Sequence, residues 1–210
     1  MFGIHDYWLF LGAGLLLNLT PGQDTMFIIG RSLTGGLRSG VAAALGISVG
    51  SIVHTLAAAL GLSLILATSA FAFTLVKLIG AAYLIYLGTK LLLAKSIQTS
   101  NMLSATGAPA RPHSAFFQGI LTNLLNPKVA LFFLAFLPQF IDPTSSAKTL
   151  AFLALGATFI TTGLTWCLVL ALAAARLQAF LQRRPNVRAL LDRAVGGLFV
   201  ALGARLAWSR

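Results

Sequence analysis

The chain has 210 residues, 58% of them apolar and only 9% charged, with a formal net charge of +11. A soluble domain carries about 25% charged residues, and residues 40–76 contain no Asp, Glu, Lys or Arg at all, a pattern that suits a bilayer rather than a soluble core. The basic excess sits in the short segments between apolar runs, where it orients a membrane protein, so it argues against nucleic-acid binding.

Taken in chain order, six apolar segments are long enough to span: residues 7–30, 39–66, 71–93, 114–140, 148–175 and 190–208. The N-terminus lacks a basic n-region and an A-x-A site, so the first helix reads as retained rather than as a cleaved signal. The single cysteine, Cys167, allows no internal disulfide and no C-x-x-C redox pair. Residues 176–193 are basic with interspersed apolar residues and contain Pro185. They read either as a short interfacial helix or as a solvated loop.

The pattern predicts an all-α polytopic membrane protein with a single domain, 1–210. The stretch 94–113, rich in Ser, Thr, Ala and Pro, is the one long connection. It divides the chain into a first three-helix repeat, 1–93, and a second, 114–210. Three helices per half is an odd number, so the halves have opposite topology, an inverted repeat. Ala44-Leu45-Gly46 recurs as Ala154-Leu155-Gly156, and Leu87-Gly88-Thr89-Lys90-Leu91 recurs as Leu202-Gly203-Ala204-Arg205-Leu206. With six spans, ten basic residues fall on one side: Arg31, Arg38, Lys90, Lys95, Arg111, Arg176, Arg183, Arg184, Arg188 and Arg193. That side, with the 94–113 linker, is expected to be cytoplasmic, and both termini then face outward. A re-entrant first segment would instead give five spans and an N-terminus inside. The basic loops are also placed to meet anionic membrane lipids.

Two spans are interrupted near their middle by helix-start signals. In the first, Thr20 reads as an N-cap, Pro21 as N1 and Gln23 as the N3 partner of a capping box, with Gly22 between them. Pro21 also removes the hydrogen bond to the Leu17 carbonyl. Asn126-Pro127 does the same in span four. Each restarted helix exposes free N–H groups and a partial positive charge. In lipid these must face protein, water or ligand. Oppositely oriented halves bring the two starts to the midplane from opposite sides, an arrangement that suits the carboxylate of an amino acid. Asp24 is placed to bind an ammonium group or to carry a coupling proton. Lys128 is placed to bind a carboxylate or to neutralise Asp24. A proline kink can also be purely structural.

Gly46, Gly50 and His54 share one face of span two. The glycines form a close-packing pattern, and His54 is a proton-relay candidate or a packing histidine. Lys77, where an intramembrane lysine costs about 2.5–3.5 kcal/mol on insertion scales, snorkels outward or pairs with a carboxylate and is a third proton-coupling candidate. Asn123 and Asn126 can donate and accept at the second break, and Gln118 is expected along the same path.

The run from Asn18 through Thr20-Pro21-Gly22-Gln23 to Asp24 carries a family resemblance, together with Gly46/Gly50/His54, the segment from Lys77 through Gly80 to Leu84 with Gly88, and Asn126-Pro127-Lys128 followed by Leu137-Pro138-Gln139-Phe140. In this combination, over nearly the whole chain, it resembles the LysE/RhtB family of bacterial inner-membrane amino-acid exporters. The family usually reads Pro-Gly-Pro at the first break, where this chain has Pro21-Gly22-Gln23. The resemblance implies a non-enzymatic transporter of the inner membrane that exports amino acids by exchange with protons. It needs no cofactor and no metal, with a homo-oligomer left open. Asp24, the one acid deep in a span, favours neutral, aliphatic or hydroxylated substrates such as threonine, homoserine or leucine. The alternatives are an exporter of basic amino acids or metal cations, for which deep acids and ligands are few, and an intramembrane enzyme, for which Ser51 and His54 make a weak nucleophile–base pair.

Overall fold

Proline and glycine decide where the apolar segments stop being continuous helix. The computed structural model describes residues 2–62, 71 and 111–183. The chain is an all-α polytopic membrane protein. Helix α1 covers Tyr7–Leu19 and α2 covers Gln23–Ala57, widening into a π-helical turn at Ala58–Leu62. Helix α3 is Pro112–Leu124, and α4 is Pro127–Leu131, which continues as π-helix Phe132–Phe136 and a 3₁₀ turn, Leu137–Phe140. Helix α5 runs from Lys148 to Arg183. The expected third and sixth spans, Lys77, Gly80, Gly88 and linker residues 94–110 lie outside the described residues.

Helix α2 is too long for one crossing. Its 35 residues would extend about 52 Å at 1.5 Å per residue, against a hydrocarbon core of about 30 Å. Gly36 resolves this with φ 70° and ψ −171°, a conformation that glycine adopts without a Cβ penalty. The helix doubles back there. A Cβ on Gly40 would collide with the Ser32 hydroxyl, although eight residues of straight helix would hold the two about 12 Å apart. The expected span ends at residues 30 and 39 are therefore not loop ends, because helix continues through both and only Gly36 departs from it.

The limbs can be placed against α5. The first limb of α2 completes the crossing begun by α1. Tyr7 Oη lies 3.3 Å from Thr158 Oγ1, Asn18 Nδ2 donates to Thr162 Oγ1 at 3.3 Å, and Gly36 lies beside Gln178. From residue 158 to residue 178 is about 30 Å of helix, one bilayer core. The second limb returns antiparallel to α5, with Gly40 against Ala171 and Thr55 against Gly156. Helix α3 runs parallel to that limb, with Phe116 beside Gly46 and Asn123 beside Gly50. Thus α1 and α3, each 13 residues long, enter from opposite faces. Helix α4 completes the second broken crossing, bent by 49° from α3.

Small residues bring α2 and α3 together. A Cβ on Gly46 would run into the Phe116 carbonyl, one on Gly50 would come within 2.7 Å of Asn123 Oδ1, and one on Gly119 within 2.6 Å of the Ala43 carbonyl. Such contacts favour close backbone packing where lipid offers no hydrophobic drive between helices. At the other end of the slab an aromatic cluster fills the space between α1, α4 and α5. Phe132 stacks on Phe159 at 4.5 Å, and Phe10 meets Phe140 at 5.4 Å.

The N-terminal segment is tied to the turn between α4 and α5. The His5 N–H donates to the Phe140 carbonyl at 3.0 Å, and the Asp142 N–H donates to the Gly3 carbonyl at 2.8 Å. These flank a single antiparallel bridge between Ile4 and Ile141. Asp142 Oδ1 accepts from both the N–H and the hydroxyl of Thr144, which holds its carboxyl below the usual carboxylate range. Residues 2–6 and 141–147 therefore share one face. A re-entrant first segment, which would put them on opposite faces, does not fit this geometry. Residues 176–183 continue α5, so that part of the 176–193 segment is helix and not loop.

The glycine seam generates a prediction. Gly46→Ala pushes a methyl into the Phe116 carbonyl and is expected to destabilise the protein by about 1–3 kcal/mol, the usual range for overpacking. Gly12→Ala, whose Cβ meets no atom within 4 Å, serves as the control and is expected to leave stability unchanged or raised. Thermal unfolding in detergent reads the difference, and equal behaviour of the two variants would contradict the seam.

Candidate functional site at the paired helix breaks

The first break begins with a carbonyl that has no helical partner. Pro21 has no N–H to offer Leu17 four residues earlier. Thr20 closes α1, its N–H and hydroxyl both donating to the Leu16 carbonyl at 3.0 and 2.7 Å. The Leu17 and Thr20 carbonyls are left over, and Lys128 takes both: its Nζ donates to them at 3.0 and 2.9 Å. A cation thus sits at the negative end of a half-helix, where it is stabilised. The break lies at mid-depth, since Asn18 adjoins Gly163, fifteen residues from both Lys148 and Gln178.

The expected capping box does not form. Helix α2 starts at Gln23 with Gly22 as its extended N-cap and no side-chain cap bond, because the Thr20 hydroxyl is already committed to α1. Gln23 is exposed and does not line the cavity. The second break behaves differently. Asn126 Oδ1 accepts from the Lys128 N–H at 3.0 Å, with Pro127 at N1, so this helix start is capped from within. The two starts are not equivalent: one is closed by its own sequence and the other is open.

Asp24 stands in the first turn of α2. Its Oδ2 accepts from Asn123 Nδ2 at 2.9 Å. Its Oδ1 is buried and has no partner among the described residues. Asn123 is 1% exposed and acts as a hub. Its Oδ1 accepts from the Ser51 hydroxyl at 3.2 Å, and its backbone carbonyl accepts from His54 Nε2 at 3.2 Å, which assigns the proton to that nitrogen. Ser51 and His54 each donate to Asn123 and not to one another, so the weak nucleophile–base pair of the enzyme alternative is not assembled. His54 stacks on Phe133 at 5.8 Å. Asn126 Nδ2 is another buried donor without a partner, and Asn126 adjoins the same carboxylate. No ion pair within 4.0 Å links Asp24 to Lys128.

A cavity of about 40 Å³ opens between the breaks, room for a few water molecules. Of the residues singled out in the sequence, Asn18, Gly22, Asp24, Ser51, Asn123, Lys128 and Cys167 line it. Thr20, Pro21, Asn126, Pro127 and His54 stand behind it, and Gln118 is away from it, bonded to Arg31 and Ser114. Apolar side chains of Ile47, Val129, Phe159, Ile160 and Leu164 also line it. Trp166 and Cys167 on α5 also line it, and the Trp166 indole N–H is buried with no acceptor among the described residues. The sequence marked Cys167 only as a lone thiol and gave no signal for Trp166, since nothing in an apolar run says which face meets the breaks. Asn18 carried one, a lone amide two residues before Thr20, and it proves to line the cavity.

Half-helices that meet around a carboxylate, a lysine and a cavity are an arrangement known from membrane transporters. The chain belongs to the LysE type translocator family, whose model matches residues 15–210. It is similar to an uncharacterized membrane protein of Pseudomonas aeruginosa, 32% identical over 98% of this chain and 96% of the relative. It is 30% identical to a leucine efflux protein of Salmonella typhimurium, covering 98% and 96% of the two chains. An uncharacterized membrane protein of Vibrio cholerae is 32% identical over 99% and 98%. No solved structure matches the chain.

The asymmetry of the two starts can be measured. Asn126→Ala removes the cap of α4 and is expected to cost about 1 kcal/mol of stability. Asn126→Ser, whose hydroxyl can accept from the same N–H, should recover most of it in the same thermal unfolding assay. Equal losses for both variants would remove the capping role.

Proposed function

We propose that the chain exports neutral amino acids across the bacterial inner membrane in exchange for protons, with its basic loops in the cytoplasm. The observation that carries this reading is the Asp24 oxygen that no described residue bonds within hydrogen-bond geometry, beside the Asn126 amide and buried in a cavity that Lys128 also lines. A zwitterion has the matching charges. Its ammonium fits Asp24 Oδ1. Its carboxylate fits the uncapped start of α2 and the remaining Nζ–H of Lys128, which passes over Gly22 at 3.2 Å from where a Cβ would stand. Its side chain would lie against Ile47, Val129, Phe159, Ile160 and Leu164, a wall that favours aliphatic over charged substrates.

Proton exchange follows from economy. A single carboxylate holds either an ammonium group or a proton, so a proton arriving at Asp24 displaces the substrate and returns with the empty carrier. Family membership and the 30% identity to a protein named for leucine efflux support the same substrate class. Export of basic amino acids would ask for a second deep acid beside Asp24. Export of metal cations would ask for a ligand cluster, and among the described residues no group of three His, Cys, Asp or Glu side chains converges.

The test uses cells loaded with dipeptides of leucine, threonine, homoserine and lysine, with export followed over time. Export of the neutral residues is expected to exceed that of lysine and to fall several-fold with an uncoupler. Asp24→Asn and Lys128→Ala should each reduce it at least tenfold at unchanged membrane levels. Normal export by both variants would sink the site, and uncoupler-insensitive export would sink the proton exchange.

A further inference from the structure

Helix α1 is bounded by a break at one end and a short clasp at the other. Against the described helices it buries only Phe10 and Gly14. Its C-terminal end is held by the two hydrogen bonds from Lys128. Its N-terminal end is held through residues 2–6, by the bonds of His5 and Gly3 around the Ile4–Ile141 bridge and by the Ser145 hydroxyl on the Phe2 carbonyl at 3.0 Å. Between these ends it lies over the aromatic cluster. Phe10 meets Phe132 at 5.8 Å and Phe140 at 5.4 Å, and Gly14 sits directly on the Phe159 and Phe132 rings. Phe159 lines the cavity, while Phe140 adjoins the bridge. The rings therefore fill the path from the cavity to the face of residues 141–147. Several of them stand on a π-helical turn, Phe132–Phe136, a local form often found at functional sites.

We infer that α1 is the gate of the cavity on the face of residues 141–147, hinged at Thr20–Gly22, latched by Lys128 and clasped by residues 2–6. Swinging α1 outward withdraws Phe10 and uncovers Phe132 and Phe159. A carboxylate that takes the remaining Nζ–H of Lys128 draws the ammonium toward the cavity and lengthens its bonds to the Leu17 and Thr20 carbonyls, so an occupied cavity loosens the latch. That last link rests on the amino-acid reading above, whereas the gate rests on the placement of α1.

A disulfide across the clasp tests it. Ile4 and Ile141 form the non-hydrogen-bonded pair of their bridge, for which Cα atoms stand about 4.5 Å apart, within disulfide range. Ile4→Cys with Ile141→Cys, oxidised by copper phenanthroline, should lock α1 shut. The readout is the native Cys167, which lines the cavity. A membrane-impermeant thiosulfonate is applied to spheroplasts and, in parallel, to inverted vesicles, and Cys167 is followed by mass spectrometry. In the wild type Cys167 is expected to react from the face of residues 141–147, and in the oxidised variant at least tenfold more slowly. Ile4→Ser with Ile141→Ser, which cannot lock, should react at least as fast as the wild type. Failure of the cysteines to oxidise, no reaction of wild-type Cys167 from that face, or an unchanged rate in the locked form would each overturn the gate. Leucine export from the same cells separates the two readings: a lock that shields Cys167 in a chain exporting no amino acid keeps the gate and discards the substrate.

Discussion

Two backbone carbonyls at the end of α1 set the terms for the middle of this molecule. Pro21 cannot donate to Leu17, and in lipid an unpaired carbonyl costs several kcal/mol. Lys128 is an equally awkward guest at that depth. Each resolves the other: the ammonium takes the Leu17 and Thr20 oxygens, and the negative end of α1 stabilises the cation. Because Lys128 belongs to α4, this solution fastens the two broken crossings together at their breaks. The cavity, the open start of α2 and the free oxygen of Asp24 all gather around that fastening.

Polar groups are concentrated at mid-depth and spent almost completely. Asn123 satisfies Asp24, Ser51 and His54 at once, and Asn126 caps its own helix. Among the described residues five buried polar atoms remain unpaired: those of Asp24 and Trp166, which line the cavity, of Asn126 beside Asp24, and of Ser32 and Ser39, which do not line it. Buried polar atoms are rarely left without partners, and the three at or beside the cavity are the ones that the proposed substrate would meet. The ends of the slab are built from different material. Glycine and alanine let α2 and α3 touch backbone to backbone, while phenylalanine fills the wider space under α1. Small residues make a seam that resists motion, and an aromatic cluster held by a few end contacts is easier to part.

The sequence was most legible where one residue type forces a backbone event. Pro21 and Pro127 announced the breaks, and Asp24 and Lys128 announced charge at depth, because neither proline inside a helix nor charge inside a membrane is neutral. The Gly46–Gly50 spacing named a packing face. Less legible was anything decided by a competing partner. Thr20 looks like an N-cap for α2, yet its hydroxyl bonds back to Leu16, and Gln23 is left outside the cavity. Asn123 looked like a substrate ligand and line the cavity it does, but both of its side-chain ends are committed to Asp24 and Ser51.

Sequence by itself determined that the chain is a bundle of membrane helices, that two of them restart midway, and that one acid and one lysine follow those restarts. These are consequences of composition and of the geometry of proline, and they need no knowledge of neighbours. Only the tertiary structure decided that Gly36 folds α2 into two crossings, since glycine permits such a turn without demanding it. Only it decided that Lys128 serves the carbonyls of another helix rather than Asp24, which leaves a carboxylate oxygen unclaimed. Which hydrogen bond a lysine makes depends on which acceptor lies unpaired within its reach, and that is a property of helices brought together, not of the order of residues along them.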